Sequence, residues 1–139
     1  MKDWLNLLLP LATAVIGSLL TYLFTLRSKR EEAIVRFKEK KYANLLIKLQ
    51  GFVGSTASPK LKQEFFEEQY QAWLYASDDV VEALNVMVRL VIDGQGAKPD
   101  PQAGRKAVGE IVLVMRRDLL HKTDLDYTAF RYTDVVAGK

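Results

Sequence analysis

The 139-residue chain contains no cysteine and a single histidine. The first absence excludes disulfides, thiolate metal sites and a cysteine nucleophile, and it agrees with a reducing cytoplasm. One histidine does not furnish the imidazoles of an ordinary zinc site, so neither a metal nor a cofactor is expected. No phosphate-binding loop is present: Gly94 and Gly96 flank a short loop, but no Gly-Lys-Ser/Thr follows them. The acidic pairs Glu31/Glu32, Glu67/Glu68 and Asp78/Asp79 are sequence neighbours, which diverge on a helix. They suit solvated faces and N-caps better than a general acid and base. The formal net charge of +3 is too small to mark a nucleic-acid binder by itself. No constellation in the chain fixes a reaction.

Charge is also missing from Trp4 to Leu26, WLNLLLPLATAVIGSLLTYLFTL. About 20 apolar residues suffice for a helix to cross a bilayer's hydrocarbon core. The interruptions here are uncharged polar residues with one proline and one glycine, which membrane helices accommodate. The stretch predicts one transmembrane helix. A cleaved signal peptide is the competing reading, because Ala12-Thr13-Ala14 has the small-x-small form of a cleavage site. Cleavage there would leave the largely apolar Val15–Leu26 behind, whereas a signal's apolar region ends before its cleavage site.

The flanks set the orientation. Arg27, Lys29 and Arg30 follow the apolar stretch, with Arg36, Lys38, Lys40 and Lys41 close behind, while only Lys2, opposed by Asp3, precedes it. Lys and Arg bias their side toward the cytoplasm, so the N-terminus is expected outside and the rest of the chain inside. The same cations suit anionic headgroups. Along the helix, Pro10, Thr13, Gly17, Thr21 and Thr25 recur at three- and four-residue spacing and share one face. A stripe of small and hydroxyl residues lets helices approach in lipid, so self-association through Thr13, Gly17, Thr21 and Thr25 is one reading. Chance is the other, since such residues are common in membrane helices.

The remaining residues, about 110, make one small domain. Residues 28 to about 53 read as a helix with apolar residues at three- and four-residue spacing, and no breaker separates it from the anchor. Ser58-Pro59 starts the next helix, serine as N-cap and proline at the first position. Leu61, Phe65, Phe66, Tyr70, Trp73 and Leu74 form its expected core face, with Glu64, Glu67 and Glu68 in water. Its aromatics, lacking interleaved Arg or Lys, read as core rather than as a base-stacking platform. A third helix, about Val80 to Ile92, is capped by Asp78 or Asp79 and is apolar nearly all round, which predicts burial on several sides. Asp100-Pro101 opens a fourth helix running to about Leu120, and a short helix ending near Phe130 is expected to dock Leu125, Tyr127 and Phe130. The expected organisation is an all-α protein: a transmembrane anchor over 1–27, a cytoplasmic bundle of about four helices over 28–132, and a flexible tail over 133–139.

Arg105, Lys106, Arg116, Arg117 and Lys122 offer a basic surface for RNA or protein, but without aromatic interleaving it reads as a solvated face. Arg117 and His121 are four apart and share a helical face, whereas Arg116 and His121 diverge by about 140° on an ideal helix. Histidine as a base and arginine as a phosphate cation are the groups that metal-free RNA cleavage needs. A lone histidine near a helix C-terminus is also what the helix dipole favours.

Three short words occur in this chain after its apolar N-terminus: Trp-Leu-Tyr-Ala-Ser-Asp-Asp-Val-Val from Trp73 to Val81, Met115-Arg116-Arg117-Asp118-Leu119, and Lys122-Thr123-Asp124-Leu125. Together they resemble small bacterial single-pass membrane proteins with a helical cytosolic domain. That resemblance implies the bacterial inner membrane as the address and names no activity. A narrower likeness is to membrane-anchored accessory proteins of RNA-targeting CRISPR systems, which share the anchor and a HEPN-type Arg-x(4–6)-His word and act as oligomeric antiphage effectors. Arg116 and His121 have that spacing, with Arg117 where the family places Asn, Asp or His; counted from Arg117, Asp118 fits but the interval to His121 is short. Two expectations follow: a membrane-anchored, self-associating scaffold or regulatory interaction module, and, as the alternative, an oligomeric antiphage effector working as a HEPN-like ribonuclease or a membrane pore. Arg116, Arg117 and His121 are the catalytic candidates under the second.

Overall fold

The structure is a computed structural model that describes residues 3–52, 58–94 and 100–131, with side chains from Leu8 onward. Every regular element among the described residues is helical: α1 (Asp3–Leu49), a 3-10 turn at Gln50–Phe52, α2 (Pro59–Ala72), α3 (Asp78–Asp93), α4 (Pro101–Leu120) and a second 3-10 turn at Tyr127–Ala129. The expected flexible tail at 133–139 lies outside the described residues, as does most of the Gly94–Pro101 loop.

Helix α1 is continuous for 47 residues, as the absence of a breaker after the apolar stretch predicts. It is long and apolar enough to cross a membrane. Pro10 lies inside it and cannot donate to the helix ladder. Two compact units divide within α1, between Phe37 and Lys38. In the first unit every described side chain from Leu8 to Phe37 is exposed. Its only ion pairs among the described residues are the exposed i,i+4 contacts Arg27–Glu31 at 3.0 Å and Arg36–Glu32 at 2.6 Å, each contributing a few tenths of a kcal/mol.

The second unit is a helical bundle whose core joins Tyr42, Leu45 and Leu49 of α1 to Phe65 of α2, Val80 and Leu84 of α3 and Ile111 of α4. Two half-buried ionic clips fasten α1 to it. Lys38 Nζ lies 2.9 and 3.1 Å from the two carboxylate oxygens of Asp118 on α4, and the Tyr42 hydroxyl donates to the same group. Lys41 and Lys48 reach Glu68 on α2 at 3.4 and 3.3 Å. Gly109 on α4 lets the chain cross close by, since a Cβ there would meet the Tyr127 carbonyl oxygen at 2.9 Å.

Three sequence expectations are corrected. Helix α2 turns Phe65, Glu68, Gln69 and Ala72 to the core and leaves Tyr70 in water, with Trp73 and Leu74 exposed in the turn just past its end. This is a rotation of roughly one residue, about 100°, from the face its hydrophobicity selects. The lysines of α1 account for it: a carboxylate enters the interior when cations meet it there, and Glu68 has two. Helix α3 buries only Val80, Leu84 and Met87, one stripe, although its sequence is apolar nearly all round; Val86, Leu90 and Ile92 stay exposed. Its N-cap is Ser77, and Asp78 and Asp79 occupy the first turn, where the helix dipole favours them. Leu125, Tyr127 and Phe130 dock only in part, each remaining exposed, and Asp126 caps the short turn by accepting from Thr128 N–H at 2.8 Å. Asp100 caps α4 as expected, accepting from Gln102 N–H at 2.9 Å.

Candidate functional site

The rotation of α2 and the single buried stripe of α3 together create a groove. Phe66 and Tyr70 of α2 with Trp73 at its C-cap form one wall, Val88 and Ile92 of α3 the other, and the groove holds about 440 Å³. On its floor Gln69 Nε2 donates to Asn85 Oδ1 at 3.0 Å. Both side chains line the groove, a hydrogen-bonded polar pair between apolar walls. Tyr70 is 73% exposed, Trp73 60% and Leu74 88%, values that belong to surface loops rather than to aromatic and leucine side chains of a core. On the other side of α3, Ala83, Val86 and Leu90 with Ala103, Lys106, Ala107 and Glu110 line a second, smaller groove of about 300 Å³.

The rim of the α2–α3 groove is acidic. Helical spacing from the lining residues places Glu67 beside the α2 wall and Asp78, Glu82 and Asp93 beside the α3 wall, with Arg89 and, one turn before Phe66, Lys62 as counter-charges. The four acids and Arg89 are exposed, and Lys62 Nζ lies over the Phe52 ring, 5.6 Å from its centroid. None takes part in an ion pair among the described residues, and Gln63 donates to Glu67 at 3.1 Å. No group of residues able to hold a metal occurs among the described residues.

The catalytic candidates end α4. Arg116 and Arg117 are exposed on its last turns, and His121 is its exposed C-cap in the left-handed conformation, φ 60°, with its N–H donating to the Arg117 carbonyl at 2.8 Å. Between the two arginines and the histidine sits Asp118, turned inward to Lys38 and Tyr42. Burial pushes the Asp118 carboxyl up, but hydrogen bonds from Lys38 and Tyr42, the Lys38 charge and the Ser77 hydroxyl together hold it below the usual carboxylate range. Burial, then the Asp118 contact, drives the Tyr42 hydroxyl far above the ordinary phenol value. Both groups are fixed in one protonation state near neutrality, which suits a structural clip and not proton transfer.

Thr13, Gly17, Thr21 and Thr25 all lie on the continuous helix α1, where every described side chain of the first unit is exposed, and a Cβ at Gly17 would meet nothing within 4 Å. The threonine hydroxyls, however, donate within their own helix: Thr13 to the Leu9 and Pro10 carbonyls at 2.9 Å, Thr21 to Gly17 and Thr25 to Thr21 at 2.8 Å. Beyond the stripe, the Arg27 guanidinium is engaged by Glu31, while Lys29 and Arg30 are exposed.

Sequence reasoning missed Tyr70, Trp73 and Leu74 as surface residues. The signal that could have found them is the Lys41/Lys48 pair, seven apart on one face of α1, with Glu64, Glu67 and Glu68 on α2 to meet it. Comparison of the chain with protein-family models, with curated proteins and with solved structures finds no match in any of the three.

Proposed function

We propose that the chain is a membrane-anchored interaction module: α1 holds it in the bacterial inner membrane, the helical bundle lies in the cytoplasm and offers apolar surface to other proteins, and copies associate through the anchor. The observation that carries this reading is the first unit of α1, where Leu8–Leu26 exposes every side chain and carries no charge. A helix of that length and composition is stable against hydrocarbon and unfavourable against water. Arg27, Lys29 and Arg30 directly after it support the cytoplasmic placement of the bundle.

Self-association rests on shape more than on hydrogen bonds. Gly17 permits close helix approach, while the hydroxyl donors of Thr13, Thr21 and Thr25 are already satisfied within α1. Interhelical hydrogen bonds in membranes contribute only about 0.6 kcal/mol each in any case. Gly17→Leu therefore weakens association more than Leu20→Ile, because only the former separates the backbones. Crosslinking in native membranes tests this, together with a reporter fused after Lys139 that reports a cytoplasmic C-terminus. A monomeric wild type, or a Gly17→Leu chain that crosslinks equally well, removes self-association from the reading. A reporter outside the cell overturns the topology.

A further inference from the structure

We propose that the α2–α3 groove receives a basic amphipathic helix of a partner protein, an inference that rests on the reading of the bundle as an interaction module. The first argument is apolar area. At about 150–250 Å² per aromatic side chain, the exposed fractions of Tyr70 and Trp73 leave roughly 250 Å² of ring surface in water. With Leu74 and Ile92, 88% and 55% exposed, the patch reaches roughly 500 Å², the upper part of what a soluble monomer leaves bare.

The second argument is shape. The walls run from Phe66 to Trp73 and from Asn85 to Ile92. Each spans about 10 Å at 1.5 Å per residue, the rise of two helical turns. A helix presenting apolar anchors at i, i+3 or i+4, and i+7 matches that length. An extended peptide is not favoured, since no strand edge exists among the described residues to pair with it. The hydrogen-bonded Gln69–Asn85 pair is the polar part of the lining, against which a polar side chain between the anchors sets its register.

The third argument is charge. Helical spacing sets Glu67, Asp78, Glu82 and Asp93 beside the groove, four carboxylates against the two cations Arg89 and Lys62. This field attracts a helix with lysine or arginine beside its apolar stripe and speeds its encounter. It also disfavours a second copy docking face to face, because a two-fold pairing of the same surface brings the two acidic rims together.

The test uses the full chain in phosphatidylcholine nanodiscs, with Trp4→Phe so that Trp73 is the sole tryptophan. Two synthetic peptide helices serve as probes, both with leucine on one face, one with lysine and the other with glutamate on the opposite face. The lysine peptide should shift Trp73 emission to the blue and saturate, with the glutamate peptide at least tenfold weaker. Glu67→Lys/Glu82→Lys, at exposed positions, should reverse that preference, and exposed Ile92→Asp should weaken both peptides tenfold. Uptake of peptide by lipid is common to all variants, so the reversal isolates the groove. Equal binding of the two peptides, or no change in Glu67→Lys/Glu82→Lys, overturns the proposal. So does a blue shift that needs only a higher protein concentration, which would assign the groove to a second copy. If neither peptide binds while a photocrosslinker at position 74 still joins the chain to neighbours in native membranes, the basic-helix proposal fails and the interaction-module reading stands. If that crosslinker also joins nothing, both fail.

Discussion

Asp118→Ala should be among the most damaging single substitutions in the bundle that does not touch an apolar core residue. The carboxylate is 12% exposed and its Lys38 partner 19%, and it accepts from Lys38 Nζ through both oxygens, at 2.9 and 3.1 Å, as well as from the Tyr42 hydroxyl. Removing it strands an ammonium and a phenol in a dry setting. Breaking a fully buried pair costs about 3–5 kcal/mol. The remaining exposure of Lys38 admits some water, so the expected loss is about 2–4 kcal/mol, a large part of the 5–15 kcal/mol that holds an ordinary domain. Tyr42→Phe keeps the ion pair and removes one bond to a charged group, for about 1.5 kcal/mol. Replacing both charges, as in Lys38→Met/Asp118→Leu, should recover most of the loss, because an apolar pair needs no compensation. Because Asp118's folded pKa is lowered, its stabilisation is present above the unfolded value, about 3.9, and disappears as pH falls through the depressed one. The gap between wild type and Asp118→Ala should therefore hold steady near neutrality and close below about pH 4. Urea unfolding of the detergent-solubilised chain, followed by circular dichroism, measures it. A neutral-pH loss under about 0.5 kcal/mol would refute the view that these charges are coupled through burial.

Three further outcomes are expected. Burial, with the Glu68 charge nearby, raises Tyr75 to about 12, and Tyr42 is raised further still; stability should stay level to about pH 10 and fall above it, less steeply in Tyr75→Phe, by the same unfolding assay. Gly104→Ala should stabilise by about 0.5–1 kcal/mol, since a Cβ there meets nothing, whereas Gly109→Ala should destabilise by about 1–2 kcal/mol by pushing against the Tyr127 backbone; the contrast in thermal midpoints checks both. His121→Gly should stabilise by about 0.5–1 kcal/mol by relieving the left-handed conformation, while His121→Ala keeps that strain and loses the dipole contact. His121→Ala should leave cellular function intact; loss of RNA cleavage or phage protection in a stable, membrane-inserted His121→Ala chain would shift the reading toward the HEPN-like effector.

What was legible in the sequence was local. The apolar stretch Trp4–Leu26 and the helical spacing from residue 28 onward, with no breaker between them, give one helix, and Asp100-Pro101 gives the start of α4, because cap and turn are decided within a few residues. The seating of α2 was not legible, because it depends on partners 20 and 27 residues away: Lys48 and Lys41 draw Glu68 inward and thereby turn Tyr70 and Trp73 outward. Hydrophobicity alone counts a glutamate as wet and a tryptophan as dry, and here the charge pairing prevails. The same holds for Asp118, which pairs with Lys38 at a separation of 80 residues. The groove was invisible for that reason, since its walls are residues that periodicity assigns to the core. The Gly17 stripe was readable, but the internal bonding of its threonines required coordinates.

Alkaline carbonate extraction of native membranes tests the central claim, that α1 anchors the chain, most directly. The wild-type chain should remain with the bilayer, while Leu19→Arg/Leu20→Arg, which places two charges at the middle of the apolar stretch at about 2.5–3.5 kcal/mol each, should shift to the soluble fraction with its bundle folded. Release of the wild type by alkali, or an identical distribution of the two chains, would contradict the account.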